Sequence, residues 1–291
     1  MSARASTLLC ISLSVTACGS DEDPDGSAAA SSTVSSSSST GGAGAAGGGG
    51  AGGGSAGSAG SGGRAELPAG YECVGEVAWM SAEATTLDIL WAAVVFPSGS
   101  DLDGADVQAC AAADCACAEP LAKAVSVAGK ADLLGLPTGA NGFDGFAEFR
   151  ASGIPDQLLY VRPPFYQAES QAGPSALADE AYWQDQLGDI DPSRGLVIVQ
   201  THDCDNYWGQ PRGGVTVTLS SADADTTSYA FDGVDVHPGA ETLEGTGVMV
   251  FVGVPPGSVQ VSSTIGSTAI GTASVCVRPG AVTSLWLPPT P

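Results

Sequence analysis

The stretches GGVTVTLSS (213–221) and EGTGVMVFVGVPPGSVQV (244–261) decide the fold of this 291-residue chain. In the first, apolar and polar residues alternate directly after a glycine pair, which is typical of a half-buried β-strand. In the second, an aliphatic run ends at a proline-glycine turn, and an alternating run follows. Short strands of this kind, separated by frequent turn residues, predict a β-sandwich.

The same order of features occurs earlier in the chain. GADVQAC (104–110) is followed by AGKADLLGLPTGANGFDGFAEF (128–149), which again gives a glycine, an alternating strand and an aliphatic strand ending at a proline-containing turn. This internal repeat predicts two β-sandwich modules, at 66–168 and 196–291. Residues 169–195 would link them, and GPSALADEAYWQDQLGD (173–189) predicts a helix with Pro174 in its first turn and Gly188 just after its end.

The C-terminal half resembles a carboxypeptidase regulatory-like domain through the segment FVGVPPG (251–257), where a strand closes at a Pro-x-Gly-like turn. The N-terminal half is similar to the degenerate version of this domain in multi-repeat bacterial lipoproteins, which combines an AC…AC-x-x-P-L-A stretch with a later F-D-G. The resemblance implies an all-β chain of two transthyretin-like or immunoglobulin-like sandwiches joined by a short helix.

The N-terminus resembles a bacterial lipoprotein signal peptide over residues 1–17. Arg4 precedes a short apolar run, and Val15-Thr16-Ala17-Cys18 is similar to a lipobox, which implies lipid on Cys18 and anchoring at the cell envelope. The residue after Cys18 is Gly19 and not the aspartate that is associated with inner-membrane retention of lipoproteins. The resemblance therefore implies that the lipid anchors the protein in the outer membrane. The alternative is an ordinary secretory signal that leaves Cys18 free. Residues 18–65 are almost entirely small, so we expect a disordered tether that reaches roughly 35–40 Å.

Six cysteines remain after Cys10 and Cys18 are set aside, and an even number in an exported protein predicts three disulfides. Cys204 and Cys276 are the two in the C-terminal half, so we expect them to pair. The other four, which are Cys73, Cys110, Cys115 and Cys117, allow three connectivities. The resemblance implies that Cys110 pairs with Cys117 and leaves Cys115 for Cys73. Zinc held by the C-x-C thiols is the alternative.

Charge and residue content exclude several functions. With 32 acidic residues against 9 basic ones, the chain would be repelled by nucleic acids and by anionic membrane surfaces. Its two histidines, His202 and His237, are not accompanied by a nucleophile elbow or an H-x-x-E pair, so we predict that it is not an enzyme. The prediction is an envelope protein that binds or scaffolds a polysaccharide or another envelope protein. The alternatives are an exported hydrolase that uses acidic residues and a purely structural envelope protein.

Two loops contain candidate binding residues. In CDNYWGQPRGG (204–214), Tyr207 and Trp208 could stack on sugar rings while Asn206, Asp205 and Arg212 bond hydroxyls. The alternative is that Trp208 closes the end of the core. In GSDLDGADVQ (99–108), three carboxylates around Gly104 could bind calcium, although the spacing also suits an Asp/Gly-rich turn. These are Asp101, Asp103 and Asp106. No other cofactor is predicted.

Overall fold

Segments in which apolar residues alternate with polar ones form β-strands in both halves of the chain. The computed structural model describes residues 67–205 and 208–291. Within these ranges the secondary structure, in chain order, is β1 (Thr86–Phe96), β2 (Ser100–Asp101), β3 (Asp106–Ala111), β4 (Ala122–Val125), β5 (Lys130–Pro137), β6 (Gly145–Ala151), β7 (Ile154–Tyr160), β8 (Glu169–Ala178), α1 (Glu180–Leu187), β9 (Gly195–Thr201), β10 (Thr216–Leu219), β11 (Thr227–Phe231), β12 (Val236–Pro238), β13 (Val248–Val254), β14 (Gly257–Ile265), β15 (Thr268–Val277) and β16 (Val282–Leu287).

The strands form three sheets in layers. A nine-stranded sheet of order β12-β11-β13-β9-β16-β7-β6-β3-β4 lies in the centre. The three-stranded sheet β10-β14-β15 packs on one face of it. The opposite face is covered by a four-stranded sheet, in which β1 pairs with β2, β5 and β8, and by α1. The all-β prediction with one short helix is therefore confirmed for the described residues.

Alternation along the central strands separates the two faces. On β9, Val197 and Val199 enter the core shared with the three-stranded sheet, whereas Leu196 enters the core beneath α1. On β7, Tyr160 and its neighbour Leu159 divide in the same way. Because a strand places successive side chains on opposite faces, each central strand contributes to both cores.

The two halves of the chain share the central sheet. Strand β16 lies between β7 and β9 and is parallel to both, with Val282 opposite Gln157 on one side and Leu196 on the other. The module boundaries at 168 and 196 stay predictions, but the two predicted modules meet through continuous hydrogen bonding.

The linker differs from its prediction. Residues 169–178 form β8, which contains Pro174 and pairs in parallel with β1, so the helix begins at Glu180 and does not include Pro174. The Asp179 carboxylate caps the helix by accepting from the Tyr182 N–H at 2.7 Å. Gly188 follows the last helical residue with a φ of 75°, as expected. Pairing with a strand edge overrides the helical preference of the Ala-rich segment.

The disulfides correct the predicted connectivity. Cys204 bonds to Cys73 and Cys276 bonds to Cys115, so the expected Cys204–Cys276 and Cys73–Cys115 pairs are wrong, and Cys110–Cys117 is confirmed. The cause is the shared sheet, which brings β15 against the N-terminal half: the Cys276 N–H donates to Tyr160 Oη at 3.0 Å. The six cysteines within the described ranges all form disulfides, so none of these six is left as a thiolate for zinc.

The predicted signal peptide, the lipidation site at Cys18 and the tether lie outside the described residues. Among the residues that are described, no helix has the length and hydropathy needed to cross a bilayer.

Candidate functional site

A pocket opens between the central sheet and the layer formed by β1, β8 and α1. We call it the interlayer pocket; its cavity volume is about 130 Å³. The central sheet contributes side chains from β9, β13 and β16 on the face that does not contact the three-stranded sheet. Its lining includes Trp91, Phe96, Leu159, Ser175, Ala176, Tyr182, Trp183, Ile198, Gln200, Phe231, Val248, Val250, Ser284 and Trp286.

Aromatic rings contribute to the lining from both layers. At the helix, Tyr182 contacts Phe96 edge-on with 4.8 Å between ring centroids and also contacts Trp183 at 5.1 Å. Trp91 lies deeper and donates from Nε1 to Ser175 Oγ at 3.1 Å. Trp286 on β16 lines the pocket and stacks on His202. Such walls favour flat, apolar ligands.

Two buried polar atoms of lining residues have no hydrogen-bond partner in the described part of the chain. These are Gln200 Oε1, an acceptor, and Trp183 Nε1, a donor. Gln200 is 6% exposed and Trp183 is 7% exposed, so neither side chain is solvated in the ordinary way. The other end of the Gln200 amide is held, because Nε2 donates to the Thr246 carbonyl at 3.2 Å. An unpaired buried polar atom is costly, which makes these two atoms candidate ligand contacts.

Among the described residues that line the pocket, none is charged at neutral pH. Burial is the main cause, and the nearby Asp235 and Asp232 carboxylates contribute, in raising the pKa of the Tyr182 phenol to about 12. Tyr182 therefore stays neutral, and its Oη donates to the Val234 carbonyl at 3.4 Å.

The loop predicted to bind carbohydrate lies at the end of β9. Trp208 is half-buried and packs on the core, with its ring 5.3 Å from that of Phe165. Arg212 donates from Nε to the buried Asp203 carboxylate at 2.7 Å. These positions match the alternative in which Trp208 closes the core, although Trp208 and Arg212 both keep some exposed surface. Asn206 and Tyr207 lie outside the described residues, and Asp205 is exposed.

The buried residues Asp203 and His202 hold this loop in place through hydrogen bonds to its other residues. Burial acts to raise the pKa of Asp203, but hydrogen bonds from the N–H groups of Asp205 and Gln210 and from Arg212 lower it below its ordinary value. Burial lowers the pKa of His202. Its Nδ1 donates to the Trp208 carbonyl at 2.8 Å, which fixes the Nδ1–H tautomer of the neutral ring.

The predicted calcium ligands do not converge. Asp103 Oδ1 accepts from the Gly129 N–H at 3.0 Å, and Asp101 lies on β2. In the described ranges, the one group of three potential ligand side chains with mutually close donor atoms is Cys110, Cys117 and Glu148. Because those two cysteines form a disulfide, this group is not a metal site. Of the three predicted carboxylates, Asp103 accepts a hydrogen bond from a backbone N–H, which is what the turn alternative predicts for it.

No protein-family model matches this chain. No curated protein matches it either.

Comparison with solved structures finds several matches, all at low identity and low TM-score. One is the shaft pilin SpaA from Lactobacillus rhamnosus GG, at 12% identity over 71% of this chain and 99% of that one, with a TM-score of 0.22. Another is GBS52, the minor pilin of Streptococcus agalactiae, at 13% identity over 70% and 97%, with a TM-score of 0.23. A third is a family CBM26 module of Eubacterium rectale Amy13K in complex with maltoheptaose, at 10% identity over 69% and 92%, with a TM-score of 0.24. TM-scores and sequence identities this low do not identify a function.

Proposed function

We propose that this chain is an exported, non-catalytic binding protein whose ligand site is the interlayer pocket. The observation that carries the proposal is the composition of the pocket wall: aromatic and aliphatic side chains from both layers, without an ionisable group among the described lining residues that titrates near neutral pH. Such a wall can hold a ligand by apolar contact. Among the described lining residues there is no general base and no pair of carboxylates, which the hydrolase alternative would require.

Export and anchoring belong to the same proposal. Three disulfides are typical of a protein that folds in an oxidising compartment. The lipobox-like sequence ending at Cys18 supports attachment to the cell envelope, and residues 18–65 would then be the tether. In cells given an alkynyl fatty acid, the wild-type chain should take up label and sediment with membranes, whereas Cys18→Ser should do neither. Unlabelled wild-type protein would contradict the lipid anchor.

The binding proposal is tested by filling the pocket. Ser284 lies between Thr283 and Leu285, which face the other core, so its side chain faces the pocket. We expect Ser284→Phe to abolish binding of toluene, measured by titration calorimetry on the exported Cys18→Ser chain purified without detergent. Ala176→Leu fills the pocket from the opposite wall and serves if Ser284→Phe does not fold.

The matched control is Ser258→Phe, which adds the same ring at an exposed position on β14. It should bind toluene as the unfilled chain does. If neither toluene nor its hydroxylated analogue p-cresol gives heat or raises the melting temperature of the unfilled chain, the pocket does not bind ligand and the proposal is wrong.

Carbohydrate binding at the loop around Trp208 is the second candidate, supported by the partial exposure of Trp208 and Arg212. On a polysaccharide array, Trp208→Ala should lose whatever binding the wild-type chain shows while retaining its fold. Binding that survives Trp208→Ala would place the carbohydrate site elsewhere.

A further inference from the structure

We infer that the interlayer pocket selects neutral, ring-sized molecules that carry a hydroxyl group, with phenols as the simplest members of the class. The inference rests on the proposed function, because it names the ligand of the same pocket. Three features carry it: the size of the cavity, the absence of charge in its described lining, and the two unpartnered polar atoms on Gln200 and Trp183.

Size and wall chemistry define the apolar part of the ligand. The cavity volume of about 130 Å³ is close to that of an engineered apolar cavity known to bind benzene, about 150 Å³. Trp91 on β1, Trp183 on α1 and Trp286 on β16 contribute large indole surfaces to the lining. A single six-membered ring fits this volume and can contact these surfaces, while a larger molecule would extend through the opening.

The unpartnered atoms define the polar part. Gln200 Oε1 can only accept a hydrogen bond, and Trp183 Nε1 can only donate one. A hydroxyl group does both, so it is the smallest substituent that can partner either atom. Each of these atoms now lies buried without a partner among the described residues, and a hydroxyl placed against it recovers a hydrogen bond.

The same features exclude other classes. An ion would lose its hydration without meeting an opposite charge in the described lining. A hexose carries several hydroxyl groups, and most of them would be buried against apolar walls without partners. The pocket therefore differs in specificity from the predicted carbohydrate loop.

The decisive comparison is p-cresol against toluene, which differ by one hydroxyl. In a pocket without polar partners, toluene would bind more tightly because the hydroxyl of p-cresol would be desolvated without compensation. We expect the exported Cys18→Ser chain to bind p-cresol about tenfold more tightly than toluene in titration calorimetry. Gln200→Met and Trp183→Phe keep the pocket apolar and filled, and each should reduce that preference to about threefold or less.

Gln260→Leu is the control, since Gln260 lies exposed on β14. It should leave the preference unchanged, and melting temperatures of all variants report whether they fold. Toluene bound as tightly as p-cresol would overturn the ligand class and leave the binding proposal intact. Failure of both compounds to bind would overturn both. A preference for p-cresol that neither Gln200→Met nor Trp183→Phe alters would overturn the assignment of the hydroxyl to these atoms.

Discussion

The ion pair between Glu148 and Arg278 allows a test of how strongly contacts between the two halves of the chain stabilise the fold. Glu148 lies on β6 and its side chain is 0% exposed, while that of Arg278, just after β15, is 17% exposed. Arg278 Nη1 donates to Glu148 Oε1, and Arg278 Nε donates to the Cys115 carbonyl. These contacts join the two halves of the chain across 130 residues of sequence.

Removing Arg278 leaves the buried Glu148 carboxylate with the partly exposed Arg150 as its remaining cationic partner. We therefore expect Arg278→Met to lower the free energy of unfolding by about 3–5 kcal/mol. For a domain of this size, each kcal/mol corresponds to about 2–4 °C, so the melting temperature should fall by roughly 6–20 °C. The assay is thermal unfolding of the oxidised protein, followed by circular dichroism at neutral pH.

Arg150→Met is the matched control. Arg150 also bonds Glu148 Oε1, at 2.8 Å, but its side chain is 42% exposed. Because exposed ion pairs contribute about 0–1 kcal/mol, this variant should lose at most about 4 °C.

The double variant Glu148→Leu with Arg278→Met separates the charge effect from lost packing. With both charges removed, we expect most of the stability to return, since well-packed apolar pairs often replace buried ion pairs without loss. Arg278 also lies over the Phe146 ring, 5.8 Å from its centroid. If the double variant is as unstable as Arg278→Met, the packing against Phe146 and Cys115 accounts for the loss, and the electrostatic reasoning is refuted.

Three further predictions concern pH, cross-linking and backbone geometry. Because burial lowers the pKa of His202 below the unfolded value of about 6.5, the neutral ring stabilises the fold above that pH. Urea unfolding should show stability falling as the pH drops below about 6.5, and a profile that His202→Gln does not flatten would contradict this. Replacing Cys115 and Cys276 with serine opens a separation of 161 residues and should cost about 2–5 kcal/mol, more than replacing Cys110 and Cys117, which are 7 apart; equal losses in calorimetry would argue against it. Gly142→Ala should greatly reduce the melting temperature, because a Cβ there would lie 1.9 Å from the Phe165 carbonyl oxygen at a φ of 115°. Gly104→Ala, at a φ of 72° with open space, should cost only about 1 kcal/mol, and similar losses for the two would contradict the steric argument.

Local features of the fold could be predicted from the sequence. The turn at Pro255-Pro256-Gly257 separates β13 from β14 as expected, and the turn at Pro279-Gly280 separates β15 from β16. Gly188 ends the helix because it adopts a positive φ without steric penalty. Each of these depends on neighbouring residues only, so the local pattern contains the information.

Connections between distant segments could not be predicted in this way. Cys276 pairs with Cys115 because β16 lies beside β7, and no local pattern states which strand edges meet. The segment 169–178 forms β8 for the same reason, because the free edge of β1 accepts it. Its alanines suit a helix in isolation, and tertiary hydrogen bonding decides otherwise.

The interlayer pocket follows from those long-range pairings. Gln200, Trp183 and Trp286 belong to β9, α1 and β16, and each has an unremarkable local context as a strand or helix residue. They line one cavity only because β8 pairs with β1 and leads the chain into α1 over the open face of β9 and β16. The sequence signal for the pocket is the pair of polar side chains, the Gln200 amide and the Trp183 indole, in segments that are otherwise apolar. Buried polar groups normally have hydrogen-bond partners, so a buried polar atom without one calls for an explanation. The signal can be interpreted only when the register of β16 is known, because the register decides which face of the central sheet each of these side chains occupies.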